Sequence, residues 1–562
     1  MSAGDLPVQR ELSELFRQAL ARAAAAGALA LDPDAIPEPA LERPRLAEHG
    51  DWATNVAMVL AKAAKAPPRA VAEAMVAHLE APDWVEAVAV AGPGFVNVRL
   101  AHRWFEGLVR RVLAAGDGFG RVDLGGGTRV NVEFISANPT GPLTVGNARG
   151  AALGDSLASL LEATGHRVQR EYYFNDANAQ IDLFGASVEA AYLARLGRPA
   201  QPPENGYRGA YVDELAAALE RERGATLAEL DEVERRKLVT EWAVRRMLAA
   251  IRQTVERFGV HFDVWFSEQT LHSSGAIDAA VARLRELGAV DDREGAVWLR
   301  STDFGDDKDR PVIRSTGAPT YLGADAAYYL DKRRRGFERL LFVWGADHHG
   351  YVPRMRALAR AFGDPDGTVE ILLYQLVNLV SGGEPVRMSK RAGDFVTVDD
   401  LLDEVGKDAA RFEMLRYAAD TPIEFDIEAV RRQSMDNPVY YVQYAHARIA
   451  SLIRQAAEVG FTAAKPEDAD LGLLRHPTEE ALLRRLAGYD ELVVLAARQR
   501  APHRLTRYAE ELAAAFHRFY GECRVITDDA ALSSARWWLC MATRQVLANT
   551  LGILGVTAPE RM

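Results

Sequence analysis

Apolar residues at Leu12, Leu15, Phe16, Ala19 and Leu20 recur with the three- and four-residue spacing of an amphipathic helix. Residues 50–55 (GDWATN) read as a turn-rich stretch leading into a second helical run over 58–64. Pro67 and Pro68 open a third helix toward His78, since proline is favoured in a first turn. Two short apolar runs, 87–90 and 96–100, flank the AGPGF turn and predict a hairpin-like strand pair. These elements predict a small α+β domain at residues 1–115, closing at the glycine-rich stretch 116–127.

The pattern then changes. Residues 130–135 (VNVEFI) read as a strand, and 136–143 (SANPTGPL) as a loop broken by Pro139, Gly141 and Pro142. A helix of small and apolar residues follows over 145–162, Gly165 stops it, and 168–174 is the next strand. This strand–helix–strand succession predicts a right-handed crossover within a parallel sheet. Residues 185–300 are mixed and charge-rich and read as an insertion into this domain or an elaboration of it. The run LLFVW at 340–344 predicts a buried strand ending in GADHHG, before a helix bearing Arg354, Arg356 and Arg360. Residues 371–380, the SGGEP turn and 386–390 make the last strand-and-loop unit, and from Thr397 onward only helical periodicity is visible. The expected fold class is α/β: a Rossmann-type parallel-sheet domain over 116–430, between the N-terminal α+β domain and an all-α bundle over 431–562.

Composition narrows the class. At about 150 residues per domain, 562 residues allow three or four domains. A 48% hydrophobic, 26% charged chain is an ordinary globular one, which excludes disordered and fibrous classes. Sixty-seven basic against 79 acidic residues give −12, so a nucleic-acid partner has to be held by local basic patches. The only cysteines, Cys523 and Cys540, build neither a disulfide framework nor a cysteine zinc site. No apolar run approaches the roughly 18–20 residues that span a bilayer. Asp5, Glu11 and Glu14 make the start unlike a secretory signal, so a cytoplasmic protein is expected, with no membrane partner.

Four segments carry candidate chemistry. The first is the strand–loop–helix turn at 130–162, where a helix N-terminus offers free N–H groups to a phosphate and Gly146 permits close approach of a flat base; a well-packed crossover explains the glycines equally. The second, Arg387-Met388-Ser389-Lys390-Arg391, brings cations to a glycine-flanked loop able to close over a triphosphate, or is a solvated basic turn. The third, GADHHG, ends a strand. Adjacent histidines cannot both face one ion, so metal ligation is not expected, whereas Asp347 suits a ribose or merely caps the turn. The fourth is a scatter of Glu133, Asp325 and Asp347 with Asn138 and Tyr321, where paired carboxylates and an aromatic wall suit a planar guanidinium, while each residue alone is explained as a structural polar group.

Taken together the segments resemble one family. SANPTGPLTVGNARGAALGD (136–155) resembles the "HIGH" region of class I arginyl-tRNA synthetases of the bacterial type, and RMSKR (387–391) their "KMSKS" loop. GDWATNVAM resembles their added N-terminal domain, and NPVYYVQYAHAR (437–448) with the end VLANTLGILGVTAPERM their helical anticodon-binding domain. The resemblance implies that Lys390, with Ser389 and Met388, stabilises the phosphates of ATP, that Gly146 lies under the adenine, and that Gly345 and Asp347 hold the ribose. It implies an arginine pocket of Glu133, Ser136, Asn138, Tyr321, Asp325 and His348, and tRNA contacts from Asn437, Tyr440, Tyr444, Arg448 and Met562. Arg454, Arg498, Arg500, Arg504, Arg507 and Arg518 are further candidates for phosphates, and Tyr440, Tyr441 and Tyr444 either stack on bases or pack as helix core.

The implied activity is arginine–tRNA ligation in a monomer. L-arginine is activated by ATP with Mg2+ to arginyl-adenylate and transferred to the 2′-hydroxyl of the terminal adenosine of tRNA(Arg), with no zinc and no organic cofactor. One departure stands out: the family's HxGH histidines are here Thr144 and Asn147, which donate hydrogen bonds but carry no charge. A catalytically weakened tRNA-binding paralogue and a class I ligase for another amino acid are therefore the alternatives.

Overall fold

The structure is a computed structural model that describes residues 7–44, 46–386 and 396–562. The helix Pro7–Ala25 buries Leu12, Phe16, Ala19 and Leu20, the stripe its periodicity predicts. Beside it lies a four-stranded antiparallel sheet in the order Leu41–Glu42, Trp52–Thr54, Phe95–Leu100, Val85–Ala91. The stretch read as a turn at 50–55 is thus partly a strand: Trp52 pairs with Val98 and Thr54 with Val96. Burial of all three of its residues outweighs a local sequence that favours a turn.

Five parallel strands form the central sheet: β1 (Arg129–Phe134), β2 (Arg167–Phe174), β3 (Val264–Ser267), β4 (Arg339–Gly345) and β5 (Val369–Tyr374). Their order is β5-β4-β1-β2-β3, so the order in which strands are added reverses between β1 and β4. Helix α1 (Val145–Ala163) joins β1 to β2, and helix α2 (Tyr321–Arg334) leads into β4. A Cβ on Gly154 of α1 would stand 2.1 Å from the ring of Phe134, so this glycine is what lets α1 lie directly on β1.

Two expectations are corrected here. Residues 185–300 are not a single insertion, because β3 lies within them and completes the sheet's far edge. Val264–Ser267 is the run from this stretch that joins the central sheet, and it is too short for its apolar pattern to stand out between the helix Glu232–Arg257 and the helix Gln269–Ser273. Val290–Arg293 and Ala296–Leu299 pair in a separate antiparallel sheet. Nor is the chain beyond Thr397 purely helical. Ile423–Asp426 pairs in parallel with Val377–Ser381, burying Ile423 and Phe425. The helices after it include α3 (Pro438–Glu458) and α4 (Ala530–Leu554), whose inward faces merge with the core over α1. A second apolar core gathers around α2 and β4. The N-terminal unit is fastened to the C-terminal helices by Asp51 with Arg484, and by Arg43 Nε 2.9 Å from Glu491.

Candidate active site

Strand order reverses between β1 and β4, which marks the space beyond their carboxyl ends as the candidate crevice, the place where sheets of this kind receive ligands. The N-terminus of α1 forms one wall. Thr144 caps it, and Asn147 Oδ1 accepts from the Thr144 backbone N–H at 2.9 Å and from its hydroxyl at 3.1 Å. The pair replacing two histidines is therefore locked together as a reciprocal cap, with the Asn147 amide group left to donate outward. Gly146 is exposed, and a Cβ there would meet nothing closer than Thr144 Oγ1 at 3.9 Å, so the helix end is open to a flat ligand.

The predicted cationic loop, with Met388, Ser389 and Lys390, lies outside the described residues. The residues that follow it do not. Val145 N–H donates to the Val396 carbonyl at 3.3 Å, and Val398 N–H to the Leu143 carbonyl at 2.8 Å. The segment leaving the loop is thus stitched to the first turn of α1.

Across the crevice stand carboxylates. One face of α2 carries Tyr321, Asp325, Tyr328 and Lys332 at the four-, three- and four-residue spacing that stacks side chains. Tyr321 is 68% exposed at the helix start. Asp325 accepts a hydrogen bond from the Tyr351 hydroxyl, and among the described residues no cation is paired with it. Burial, together with Glu268 and Glu133 nearby, lifts its carboxyl to about 7 against the pull of the Tyr351 hydrogen bond. Glu268, directly after β3, accepts from the Tyr173 hydroxyl and lies 3.3 Å from His272 Nε2. The hollow so formed is rich in negative charge and walled by tyrosines, a receptacle for a forked cation.

Glu133 plays a different part. Its Oε1 accepts from the Ser136 hydroxyl at 3.0 Å, and its Oε2 from the Tyr328 hydroxyl at 2.9 Å and the Lys332 ammonium at 2.7 Å. Lys332 is fully buried, also donates to Asn131 Oδ1 at 2.6 Å, and lies 3.3 Å from Glu171. Burial works against the charge of Glu171, but Lys332 and Arg335 outweigh it and hold that carboxyl down at about 2. Ser136 likewise serves the scaffold, accepting from Tyr173 N–H at 3.2 Å. It and Ile135 have φ of 42° and 69°, a left-handed turn for two side-chain-bearing residues, held by Tyr172, whose hydroxyl donates to the Ala137 carbonyl at 2.9 Å.

The remaining predicted residues are more open. Asn138 donates to Gln180 Oε1 at 2.9 Å, at the mouth of the hollow. Gly345 ends β4, with the Asp347 carboxylate folded against it. Asp347 and His348 are both exposed, 3.5 Å apart, and the His348 ring sits 5.9 Å from that of Trp344. Sequence reasoning missed Glu268, Tyr351, Tyr328, Lys332 and Gln180. Helical spacing from Asp325 identifies Tyr328 and Lys332; nothing local marks the other three, which reach the crevice from separate segments.

A second candidate surface lies along α3. The rings of Tyr440 and Tyr444 stack with centroids 6.3 Å apart, and Arg448 Nη1 donates to the Tyr444 hydroxyl at 2.6 Å. These three and Tyr441 are at least partly exposed, and both Tyr441 and Tyr444 pack against His517. Met562 is 52% exposed and lines a hollow with Tyr444, Arg448, Arg454 and Tyr520. Asn437 is buried as the cap of α3, its amide spent on the carbonyls of Val430 and Arg432. Arg500 is spent on Glu370, at 2.8 Å from each carboxylate oxygen, and Arg507 on Glu511.

No described helix is long and apolar enough to cross a membrane. Three family models match the chain: "Arginyl tRNA synthetase N terminal domain" at residues 10–100, "tRNA synthetases class I (R), catalytic domain" at 109–421, and "DALR anticodon binding domain" at 442–562. A protein of Heliobacterium modesticaldum named arginine–tRNA ligase is 48% identical over 99% of both chains, and one of the same name from Kineococcus radiotolerans is 51% identical over 98% of this chain and 99% of that one. The solved Thermus thermophilus arginyl-tRNA synthetase shares the fold, with a TM-score of 0.73 and 24% identity over 98% of this chain and all of that one. The chain belongs to the class I arginyl-tRNA synthetases.

Proposed function

We propose that this enzyme joins L-arginine to tRNA(Arg) in two steps at the crevice between β1 and β4. A carboxylate oxygen of arginine attacks the α-phosphorus of ATP, which enters with its magnesium as substrate, and pyrophosphate leaves. The 2′-hydroxyl of the terminal adenosine of the tRNA then attacks the adenylate's carbonyl, and AMP leaves. Neither step needs an enzyme nucleophile, so alignment and charge stabilisation carry the catalysis. The observation that carries this reading is the tyrosine-walled hollow in which Asp325 has no paired cation among the described residues while Glu268 adds its charge nearby. An arginine guanidinium there would restore the charge balance and draw Asp325 into its ionised form.

In this scheme Asp325, Glu268 and Tyr321 hold the guanidinium, while Glu133, Ser136, Asn138 and His348 shape the pocket toward the reacting end. Gly146 lies under the adenine, Gly345 and Asp347 hold the ribose, and Lys390 with Ser389 and Met388 meets the phosphates. Thr144 and Asn147 supply neutral donors where the family usually has histidines. The relatives named above carry the ligase name over their whole length, and nothing favours a weakened paralogue. Tyr440, Tyr444, Arg448 and Met562 receive unpaired anticodon bases, and Asn437 supports them by fixing the start of α3. The functional units run 1–115, 116–430 and 431–562, and the enzyme works as a monomer in the cytoplasm. Charging bulk tRNA with each of the twenty amino acids tests the reading: arginine alone should be incorporated, and incorporation of any other instead would refute it.

A further inference from the structure

Arg411, on the helix Lys407–Leu415, has no exposed surface, yet every side of its guanidinium is engaged. Nη2 lies 2.6 Å from Asp155 Oδ2, midway along α1. Nε donates to the carbonyl of Leu554, the last residue of α4, at 3.0 Å. Nη1 reaches the Phe258 carbonyl at 3.3 Å and that of Gly259 at 3.5 Å, just past the helix Glu232–Arg257. The second oxygen of Asp155 accepts from Arg170 Nε of β2 at 3.0 Å. A planar, permanently charged fork is the side chain suited to hold a carboxylate and helix-terminal carbonyls at once. The approach is close enough to dictate a neighbour: a Cβ on Gly555, at φ +67°, would stand 2.1 Å from Nη2.

The two ends of this junction are the two functional surfaces. Asp155 sits nine residues along α1 from Gly146, about 14 Å of rigid helix from the crevice. On the other side, Leu554 is eight residues from Met562, and the chain between is fastened strongly. Thr557 N–H donates to Asp408 at 3.1 Å, Gln443 to the Thr557 carbonyl at 2.9 Å, His446 Nδ1 lies 2.8 Å from the Pro559 carbonyl, and Arg454 donates to that of Glu560 at 3.2 Å. The tail is therefore bonded to α3 along its length and continues directly from the end of α4.

We propose that Arg411 is a positioning residue that couples occupancy of the α3–tail face to the nucleotide end of α1. This rests on the reading above that RNA occupies that face. A displacement of the tail reaches Leu554, and Arg411 passes it to Asp155 because the buried ion pair cannot be stretched without stranding a charge. Coupling of this kind is a ratio of affinities and is reciprocal.

The test is equilibrium dialysis of α,β-methylene-ATP against the full-length protein, with and without a saturating transcript of tRNA(Arg). In the wild type the transcript should tighten the nucleotide by about fivefold or more. In Arg411→Lys and in Asp155→Asn the ratio should fall below about twofold, with the affinity for the transcript alone preserved. A folded variant that keeps more than half of the wild-type ratio overturns the inference, as does a wild type with no coupling. Should both variants fail to fold, hydrogen exchange on the wild type decides. Adding the transcript must alter exchange of the α1 amides at 153–158, and unchanged rates overturn the inference. Arginine charging by the wild type is scored separately: its absence refutes the functional reading, whereas normal charging with intact coupling in the variants refutes only the role of Arg411.

Discussion

Lys332 holds its ammonium 2.7 Å from Glu133, and neither side chain is open to solvent by more than a sliver. Lys332 and Arg335 together balance Glu133 and Glu171, so the rear wall of the crevice is already neutralised, and among the described residues Asp325 is left with no paired cation. Replacing Lys332 by methionine strands the buried Glu133 and leaves Glu171 to Arg335 alone. Equilibrium urea unfolding should show a loss of about 3–5 kcal/mol at pH 7.5. Because Glu171 is held near 2, below its unfolded value, its contribution is present above about 4.5 and lost as pH falls toward 2. Wild-type stability should therefore drop across that window, and the Lys332→Met variant should show a shallower drop.

Asp325 has the opposite sign. Its carboxyl is raised to about 7, so the folded protein binds a proton there that the unfolded chain has released by that pH, and ionisation weakens the apo fold as pH rises through 7. Asp325→Asn should melt at a higher temperature than wild type at pH 8, and the gap should narrow steadily as pH falls from about 7 to about 4. The same substitution removes the guanidinium's partner, costing about 2–4 kcal/mol of binding, and steady-state charging assays should show KM for arginine raised about 30- to 1000-fold. In the wild type, KM for arginine should climb as pH falls below about 7, and isothermal titration at pH 6.5 in buffers of different ionisation heat should detect proton release on arginine binding.

The cap on α1 separates structure from catalysis. Asn147→Ala removes both the acceptor for Thr144 and the outward amide. Arginine-dependent pyrophosphate exchange should fall about 5- to 100-fold in kcat, the equivalent of 1–3 kcal/mol, with KM for arginine unchanged. If Asn147→His restores or exceeds the wild-type rate, the position acts on the phosphates, as proposed.

On the α3 face, Arg448→Ala and deletion of Met562 should each raise KM for tRNA about tenfold and leave KM for arginine alone, a separation that charging assays with either substrate varied will read. Arg448→Ala should also flatten the salt dependence of tRNA binding by about one counterion.

Much of this was legible along the chain. The stripe at Leu12 to Leu20, the crossover through α1 and the run at 340–344 carry strong local periodicity, and the structure has each of them. Val264–Ser267 and Ile423–Asp426 carry four residues each, and become strands only because Tyr172 pairs with Trp265 and Leu379 with Phe425. The site divides in the same way. Asp325 and Tyr321 were readable, and Lys332 lay within reach as one more position on the same helical face. Glu268 and Tyr351 arrive from other segments, and only the closed fold shows that they face Asp325. The ion pair of Glu133 is hidden from the sequence for the same reason, since Lys332 is 199 residues away in the chain.

The most direct measurement compares arginine with citrulline, its neutral urea isostere, as ligands of the crevice. Inhibition of charging by citrulline should be at least about a thousandfold weaker than the affinity for arginine in the wild type, and in Asp325→Asn the gap should close to within about tenfold. Equal discrimination by both proteins would contradict a carboxylate-selected guanidinium site.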